Sequence, residues 1–248
     1  MALTFVGHAT VMMTTPGARV MTDPMLENSL WGLRRARAGA VDAHNLADVD
    51  LILISHAHRD HLSRATLRHL SPKATLVIPP RCGSLVDDLG FARVVELAVG
   101  QTFGFGDVQV TAVPVQHSGA RGVLDPRRRG ASGYVVRAGG RAVYFAGDTG
   151  YFPGFADIGR QFDPDLAFLP IAGYQPAPLR REHMSPLDAI YAFQDLGSRL
   201  MVPICHGSFE LGYEPLDEPL DWLRELAEEK KLGPALTILE HGQTCLLR

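Results

Sequence analysis

The feature that most constrains the fold is a run of three histidines and one aspartate within six residues, at positions 56–61 (HAHRDH). The run follows the stretch 50–54, which has the length and residue types of a buried strand, and it precedes a helical pattern at 63–70. A loop at the carboxyl end of a strand is a common place for a functional site in an open α/β sheet. The run therefore predicts a strand that ends at a polar site, with a helix after it.

The spacing within this run suits metal ions. His56 and His58 are two residues apart, so in an extended turn both imidazoles can point to one side and bind one metal. Asp60 and His61 follow where the chain bends, and they can bind a second metal beside the first. Imidazole and carboxylate ligands suit zinc, and also manganese or iron. The alternative is a solvated loop that happens to be rich in histidine, and it does not explain four suitable residues in register.

Three further polar side chains follow strand-like runs in the same way. They are His117 after residues 108–115, Asp148 after residues 141–146 and His206 after residues 200–204. One histidine in such a place is often only a hydrogen-bonded structural residue. Three residues so placed, together with the histidine run, predict a single site at the edge where the strand ends converge.

Strand-like runs alternate with helical patterns along the whole chain. Short apolar, β-branched runs predict strands at 3–13, 18–22, 51–55, 74–78, 108–115, 133–137, 141–146, 166–170, 200–204 and 236–239. Helices are predicted at 63–70, 83–89, 155–162, 185–196 and 216–229. Ser63 and Ser185 are suitable N-caps. Two packed sheets with helices outside account for this alternation, and we expect a single domain over residues 1–248.

Composition excludes several classes of protein. With 24 basic and 27 acidic residues the net charge is −3, which gives no electrostatic footprint for nucleic acid. Three scattered cysteines (82, 205 and 245) favour a reducing compartment over a disulfide framework. No apolar run reaches the roughly 18 residues needed to span a bilayer. Gly7 and His8 interrupt the apolar N-terminal run, which is atypical of a signal peptide, so we expect a cytoplasmic protein.

Several motifs together resemble the metallo-β-lactamase superfamily. The motifs are the run 56–61, His117, the triplet 147–149 (GDT) and His206, in this order. The segments that narrow the resemblance are 5–10 (FVGHAT), 22–24 (TDP), 147–151 (GDTGY), 170–174 (PIAGY) and 183–186 (HMSP). They are similar to the branch that contains the N-acyl-phosphatidylethanolamine-hydrolysing phospholipases D and, more distantly, the L-ascorbate-6-phosphate lactonases.

That resemblance implies a four-layer αββα sandwich of the α/β class, with two metal ions along one edge of the sheets. It assigns His56, His58 and His117 to the first metal, Asp60, His61 and His206 to the second, and Asp148 to both as a bridge. We expect two divalent cations, zinc first, with manganese or iron as alternatives. Two such ions roughly 3.5–4 Å apart can share one water and lower its pKa, so we expect a metal-bridging hydroxide as nucleophile.

Other residues are expected to support the chemistry. The family histidine that corresponds to His183 lies near the substrate, so His183 and the ligand Asp60 are the candidate catalytic side chains; the alternative for His183 is a helix cap. We expect Asp23 and His8 to orient metal ligands from behind. Neighbouring strand residues alternate faces, so Cys205 is expected to point away from the site.

The substrate is less constrained by sequence. Arg127, Arg128 and Arg129 follow His117 and can pair with a phosphate, although solvated surface charge is the simpler interpretation. We expect a small-molecule or lipid-derived anionic substrate, and a phosphodiesterase above the two alternatives. These are a lactonase or other ester or amide hydrolase, and a non-catalytic metal-binding protein. Oligomeric state is not constrained.

Overall fold

Two β-sheets packed face to face form the centre of the protein. The computed structural model describes residues 1–37, 48–122, 125 and 129–247. The first sheet has the strand order β15 (Thr244–Leu246), β1 (Ala2–Gly7), β2 (Thr10–Thr14), β3 (Arg19–Thr22), β6 (Leu51–Leu53), β7 (Thr75–Ile78) and β8 (Arg93–Glu96). The second has the order β14 (Leu200–Ile204), β13 (Leu166–Pro170), β12 (Arg141–Phe145), β11 (Gly133–Ala138), β10 (Val108–Val113) and β9 (Thr102–Phe105). A small hairpin of β4 (Ser29–Leu30) and β5 (Leu33–Arg34) stands apart.

Helices cover the outer faces of both sheets. They are α1 (Arg64–Leu67), α2 (Gly154–Phe162), α3 (Pro186–Leu196) and α4 (Glu218–Glu229). The helices α2, α3 and α4 share a hydrophobic cluster with the second sheet, whereas α1 packs with the first. A third cluster takes side chains from both sheets and lies between them. The predicted αββα sandwich is confirmed.

The central strands have apolar side chains on both faces because both faces are covered there. In β12, Val143 and Phe145 face the cluster between the sheets, whereas Ala142 and Tyr144 face the helices. This alternation is the two-residue period of a strand. A sheet that is covered on both sides reads as a nearly continuous apolar run, which is why these strands could be recognised from sequence.

Parallel pairing brings the carboxyl ends of several strands to one edge. Strands β3, β6 and β7 run parallel in the first sheet, and β12, β13 and β14 run parallel in the second. The loops after these strands therefore begin side by side. Polar residues directly after β3, β6, β12 and β14 are brought together by the topology rather than by proximity in sequence.

The structure corrects three of the predicted elements. The stretch 3–13 is two strands, because the chain reverses at Gly7 and His8, whose φ angles are 133° and 57°. The stretch 83–89 forms two short 3-10 helices instead of an α-helix. The stretch 236–239 makes only a single bridge, from Leu236 to Met201; Leu236 and Ile238 pack against the outer helical cluster, whereas Leu239 belongs to the cluster between the sheets.

Both predicted N-caps are confirmed. The Ser63 hydroxyl accepts a hydrogen bond from the backbone N–H of Thr66, and Ser185 forms a reciprocal capping box with Asp188. These bonds satisfy donors that the first turn of a helix leaves unpaired. Within the described part of the chain, no helix is both long enough and apolar enough to cross a bilayer.

We predict that Phe145→Ala destabilises the fold strongly, because Phe145 is fully buried between the sheets. Removing a buried aromatic ring costs about 3–5 kcal/mol. Tyr213→Ala is the matched control, since the Tyr213 side chain is 82% exposed, and it should change the free energy of unfolding by less than about 0.5 kcal/mol. Urea denaturation measures both. Equal effects of the two variants would contradict the assignment of the core.

Candidate metal centre

Three imidazoles converge at the edge where the strands end. Nε2 of His56 lies 2.9 Å from Nδ1 of His58, and Nε2 of His117 lies 3.1 Å from the same atom. His56 and His58 come from the loop after β6, and His117 comes from the loop after β10. Ring nitrogens this close repel one another through their lone pairs unless a proton or a cation lies between them. The arrangement fits one divalent cation with three imidazole ligands.

Each of two of these imidazole rings has a hydrogen-bond partner for its Nδ1 atom. This partner determines that Nε2 faces the neighbouring histidines. Nδ1 of His117 donates to the carbonyl oxygen of Glu182 at 3.0 Å, which leaves Nε2 as the atom with the lone pair. Nδ1 of His56 lies 2.9 Å from the Ser55 hydroxyl, which itself donates to Asp23. Histidines that bind metals are commonly oriented by a second hydrogen bond of this kind.

A second cluster, of mixed chemistry, adjoins the first. Nε2 of His61 lies 3.1 Å from Oδ2 of Asp148 and 3.4 Å from Oδ2 of Asp60. Among the described residues this buried nitrogen makes no well-aligned hydrogen bond, and it contacts the two carboxylates only as ion pairs. On the far side of Asp148, the Cys205 thiol lies 3.2 Å from Oδ1. The orphaned nitrogen between two carboxylates is the observation that best fits a second cation.

Asp23 connects the two clusters from behind. One carboxylate oxygen accepts from the backbone N–H of Ser55 at 2.7 Å. The other accepts from the Ser55 hydroxyl at 2.5 Å and from Nδ1 of His61 at 2.7 Å. Asp23 is completely buried. It therefore holds the start of the histidine loop and directs the Nε2 atom of His61 toward Asp60 and Asp148.

Burial keeps the first three histidines neutral. It lowers the pKa of His117 to about 3 and holds the pKa of His56 well below its usual value, where neighbouring histidines lower it further. Burial also lowers the pKa of His58, against the effect of Asp60. A metal binds the neutral imidazole. Near neutral pH these three ligands thus need to lose no proton before a cation binds.

The second cluster carries charge. Burial raises the pKa of Asp60 and of Asp148, but His61 and other neighbouring histidines together outweigh this effect, and both pKa values lie well below the usual range. Burial alone would lower the pKa of His61, yet Asp148, Asp60 and Asp23 raise it well above its usual value. The carboxylates are therefore ionised and stabilise a positive charge at His61. A metal ion at this position would take the place of the proton.

The remaining predicted residues lie around these clusters. Nε2 of His8 is 3.2 Å from Oδ2 of Asp60. Nδ1 of His183 is 3.7 Å from Oδ2 of Asp148, and the His183 ring stands edge-on to His117 with centroids 5.1 Å apart. The side chain of His183 is 22% exposed. His183 thus lines the cavity without belonging to either cluster.

Cys205 is placed differently from expectation, whereas the role of His206 as a metal ligand stays a prediction: His206 lines the same cavity, and both of its ring nitrogens are buried without a hydrogen-bond partner among the described residues. His206 belongs to none of the described groups of potential ligand atoms; its ring stacks on Phe5 at 5.5 Å between centroids. The prediction that Cys205 points away is wrong, since its thiol lies beside Asp148. Alternation fails here because β14 ends at Ile204 and Cys205 has a left-handed φ of 61°. In the sequence, Gly207 is the residue that could have indicated the end of the strand.

The predicted arginine cluster is only partly described. Arg127 and Arg128 lie outside the described residues. The Arg129 guanidinium is bonded to Asp125 and to the carbonyl of Arg81, and its side chain is 5% exposed. It therefore stabilises its own loop. Arg121, which the sequence does not mark as a site residue, donates to the carbonyls of Ala57 and Leu62 and so holds the histidine loop at two points.

A cavity of about 630 Å³ opens onto both clusters. His58, Asp60, Asp148 and His183 line its floor. Its apolar wall is formed by Trp31, Leu179, Phe209, Leu211, Pro215, Leu216 and Pro219. The acidic side chains of Glu182 and Glu210 also line it. A substrate of moderate size could reach the clusters and place an apolar group along this wall.

Similar proteins agree with this arrangement. Residues 18–206 match the family described as the Beta-lactamase superfamily domain. A metal-dependent hydrolase of Methanoregula boonei is 34% identical over 218 residues, which cover 85% of this chain and 84% of the relative. The N-acyl-phosphatidylethanolamine-hydrolyzing phospholipase D 1 of Caenorhabditis elegans is 30% identical over 249 residues, 92% of this chain and 70% of that enzyme.

Solved structures support the same fold. The crystal structure of an isothiocyanate hydrolase from Delia radicum gut bacteria superimposes with a TM-score of 0.81 at 22% identity, over 100% of this chain and 99% of that one. Fold and sequence together define a metal-dependent hydrolase. The chain belongs to the metallo-β-lactamase superfamily, as its motifs predicted, and the resemblance to the phospholipase branch is confirmed.

We predict that Asp23→Asn weakens metal binding without unfolding the protein. The amide has one acceptor oxygen and an NH2 group in place of the other, so it cannot accept all three hydrogen bonds that the carboxylate accepts from Ser55 and His61, and the orientation of His61 is less well fixed. Loss of such a partner typically costs about 10–100-fold in metal affinity. Competition with a chelating dye measures the affinity, and Asp221→Asn, on an exposed helix surface, is the matched control. Unchanged affinity in Asp23→Asn would show that the bonds of Asp23 do not orient the ligands.

Proposed function

We propose that the protein is a binuclear metal-dependent hydrolase that acts on phosphodiesters and uses a metal-activated water as nucleophile. The observation that carries the binuclear proposal is the pair of adjoining clusters, His56, His58 and His117 in one, and His61 with two carboxylates in the other. Asp148 lies at the boundary between them and is the candidate bridge. We propose zinc as the native ion at both positions, with manganese and iron as alternatives.

When bound, two such ions supply Lewis acidity and lower the pKa of a shared water. The protein's own residues supply position and proton transfer. His183 faces the cavity 3.7 Å from Asp148, a place from which its imidazole can protonate a leaving group. The apolar wall excludes water on one side and can orient the rest of the substrate.

Phosphodiesters are favoured by sequence similarity. The Caenorhabditis elegans relative is named as a phospholipase D that hydrolyses an N-acyl-phosphatidylethanolamine. We carry over from it the bond type and not that substrate. A small-molecule or lipid-derived anion fits the cavity, whose apolar wall could take an acyl or alkyl group. Arg127 and Arg128 remain the proposed contacts to phosphate.

One observation favours a second candidate, a lactonase or other hydrolase of uncharged esters. The charged side chains at the cavity wall are mainly acidic, and the arginine among the described lining residues, Arg121, is occupied by two carbonyls. Carboxylates at the wall repel an anion. A non-catalytic metal site is disfavoured because structural zinc sites are closed and mononuclear, whereas this one opens onto a cavity.

We predict that Asp148→Asn loses one of two bound metals and most of the activity while the fold survives. The amide cannot supply negative charge to two ions. Elemental analysis of metal-loaded protein gives the stoichiometry, and the free energy of unfolding checks the fold. Asp157→Asn, at an exposed aspartate, should keep both metals. If Asp148→Asn retained two ions and full activity, Asp148 would not be the bridge; one ion in fully active wild type would exclude the binuclear proposal.

We predict that the double variant Arg127→Ala/Arg128→Ala loses activity on phosphodiesters alone. A charge-assisted hydrogen bond is worth about 1.5–3 kcal/mol, and a loss of about 2 kcal/mol lowers kcat/KM roughly 30-fold. Hydrolysis of a bis-aryl phosphodiester and of a neutral lactone should be compared. Arg160→Ala/Arg224→Ala, at two exposed helical arginines, is the matched control. Equal kcat/KM for the phosphodiester in both double variants, or a wild type active only on the lactone, would favour the ester hydrolase.

A further inference from the structure

We propose that Glu214 is a positioning residue for His183, whose imidazole ring it keeps at the cavity by fixing the loop after β13. The proposal rests on the part of the proposed function in which His183 protonates the leaving group, and it adds the support that this role requires. Glu214 lies in the segment between β14 and α4, which forms part of the cavity wall.

Glu214 is a buried carboxylate whose two oxygens both bind this loop. The residue is 6% exposed. Oε1 accepts from the backbone N–H of Gly173, and Oε2 accepts from the backbone N–H of Gln175 at 3.1 Å. The N–H of Tyr213 adds a third bond, because it donates to the carbonyl of Gln175 at 3.3 Å. A buried carboxylate is costly without such donors, so Glu214 and the loop hold each other in one arrangement.

The same loop lies directly against the His183 ring. A Cβ atom built on Gly173 would lie 3.1 Å from Nδ1 of His183 and 3.3 Å from Cγ. The glycine backbone therefore packs closely on the imidazole. The ring also stands edge-on to His117, and Nδ1 lies 3.7 Å from Oδ2 of Asp148. Fixing the loop thus restricts the ring to the orientation in which it lines the cavity.

The backbone next to His183 is held by other bonds. The carbonyl of Glu182 accepts from Nδ1 of His117 at 3.0 Å, and the carbonyl of Arg181 accepts from the side-chain amide of Gln116 at 2.7 Å. Both bonds come from the loop after β10 and not from the segment that contains the carboxylate. Loss of the carboxylate should therefore free the His183 ring while its backbone stays in place.

The consequence should depend on the leaving group. A good leaving group departs as an anion, whereas a poor one needs a proton as its bond breaks, and a well-placed acid contributes about 100–10,000-fold. Misplacing a reacting group by about 1 Å can cost about 100-fold. Glu214→Ala should lower kcat for a poor leaving group by at least about tenfold with little change in KM, since the lost interaction acts in the transition state.

Hydrolysis of bis-para-nitrophenyl phosphate and of diphenyl phosphate by zinc-loaded protein tests this, because para-nitrophenolate leaves easily and phenolate does not. Glu214→Ala should slow diphenyl phosphate selectively. Glu214→Gln keeps one acceptor oxygen and should show a smaller loss of the same kind; it decides the question if Glu214→Ala does not fold. Glu210→Gln is the matched control. It removes a carboxylate from the same cavity and should change kcat/KM for both substrates by the same factor.

A double variant tests whether Glu214 acts through His183. His183→Ala/Glu214→Ala should be no slower on diphenyl phosphate than His183→Ala alone, because residues that act through one proton transfer are not additive. Losses that multiply in the double variant would overturn the proposal. Equal losses on the two substrates in Glu214→Ala would also overturn it, since a merely structural role affects both.

The outcomes separate this proposal from the proposed function. Equal effects of His183→Ala on the two substrates would remove the role of His183, and that of Glu214 with it, while the metal-dependent hydrolase stays intact. A wild type that cleaves aryl esters and not phosphodiesters would contradict the proposed bond type. The same comparison, made with para-nitrophenyl and phenyl esters, would then decide the role of Glu214.

Discussion

The hydrogen bonds of Asp23 are the interaction on which the rest of the site depends. A fully buried carboxylate is costly unless it is paired and hydrogen-bonded, and Asp23 meets this requirement with Ser55 and His61. These bonds join the end of β3 to the loop after β6, so the parallel pairing of the two strands and the position of the histidine loop support each other. A change in the strand pairing or in the position of the histidine loop would leave the buried Asp23 carboxylate without partners.

Close approach of a second loop makes the site complete. Gly147, after β12, has a φ of 62°, and a Cβ atom there would lie 2.5 Å from Cβ of Ser55. Only glycine tolerates both the left-handed conformation and the contact. The glycine lets the loop from the second sheet reach the loop from the first, and so places Asp148 against His61. The two sheets thus contribute to one site because one residue between them has no side chain.

Sequence predicted the parts of the protein that follow from local pattern. The layered fold followed from apolar runs, and the convergence of His56, His58 and His117 followed from their positions after strands. The proposal that a carboxylate supports the ligands, made for Asp23, agrees with its bonds to Ser55 and His61.

Sequence failed where long-range contact or backbone conformation decides. The orientation of Cys205 depends on a left-handed φ and on a bond to His8. The two bonds from Arg121 to the histidine loop, and the use of Arg129 within its own loop, depend on contacts between distant segments. No periodic pattern in the sequence predicts the backbone conformation at Cys205 or these contacts of the arginines.

The two clusters differ in charge, and this difference gives them different tasks. The first consists of neutral imidazoles, whose low pKa values come from burial, so these ligands would not neutralise the charge of a bound ion, which would then be suited to polarising a substrate atom. The second already holds a positive charge at His61 between Asp60 and Asp148. An ion there would be largely neutralised by its ligands and would be better suited to anchoring than to polarising. If Asp148 is the bridge, as we propose, its negative charge would be shared between the two ions. This difference in charge between the clusters arises because only some of the strand ends supply carboxylates. The fold therefore sets the difference before any metal binds.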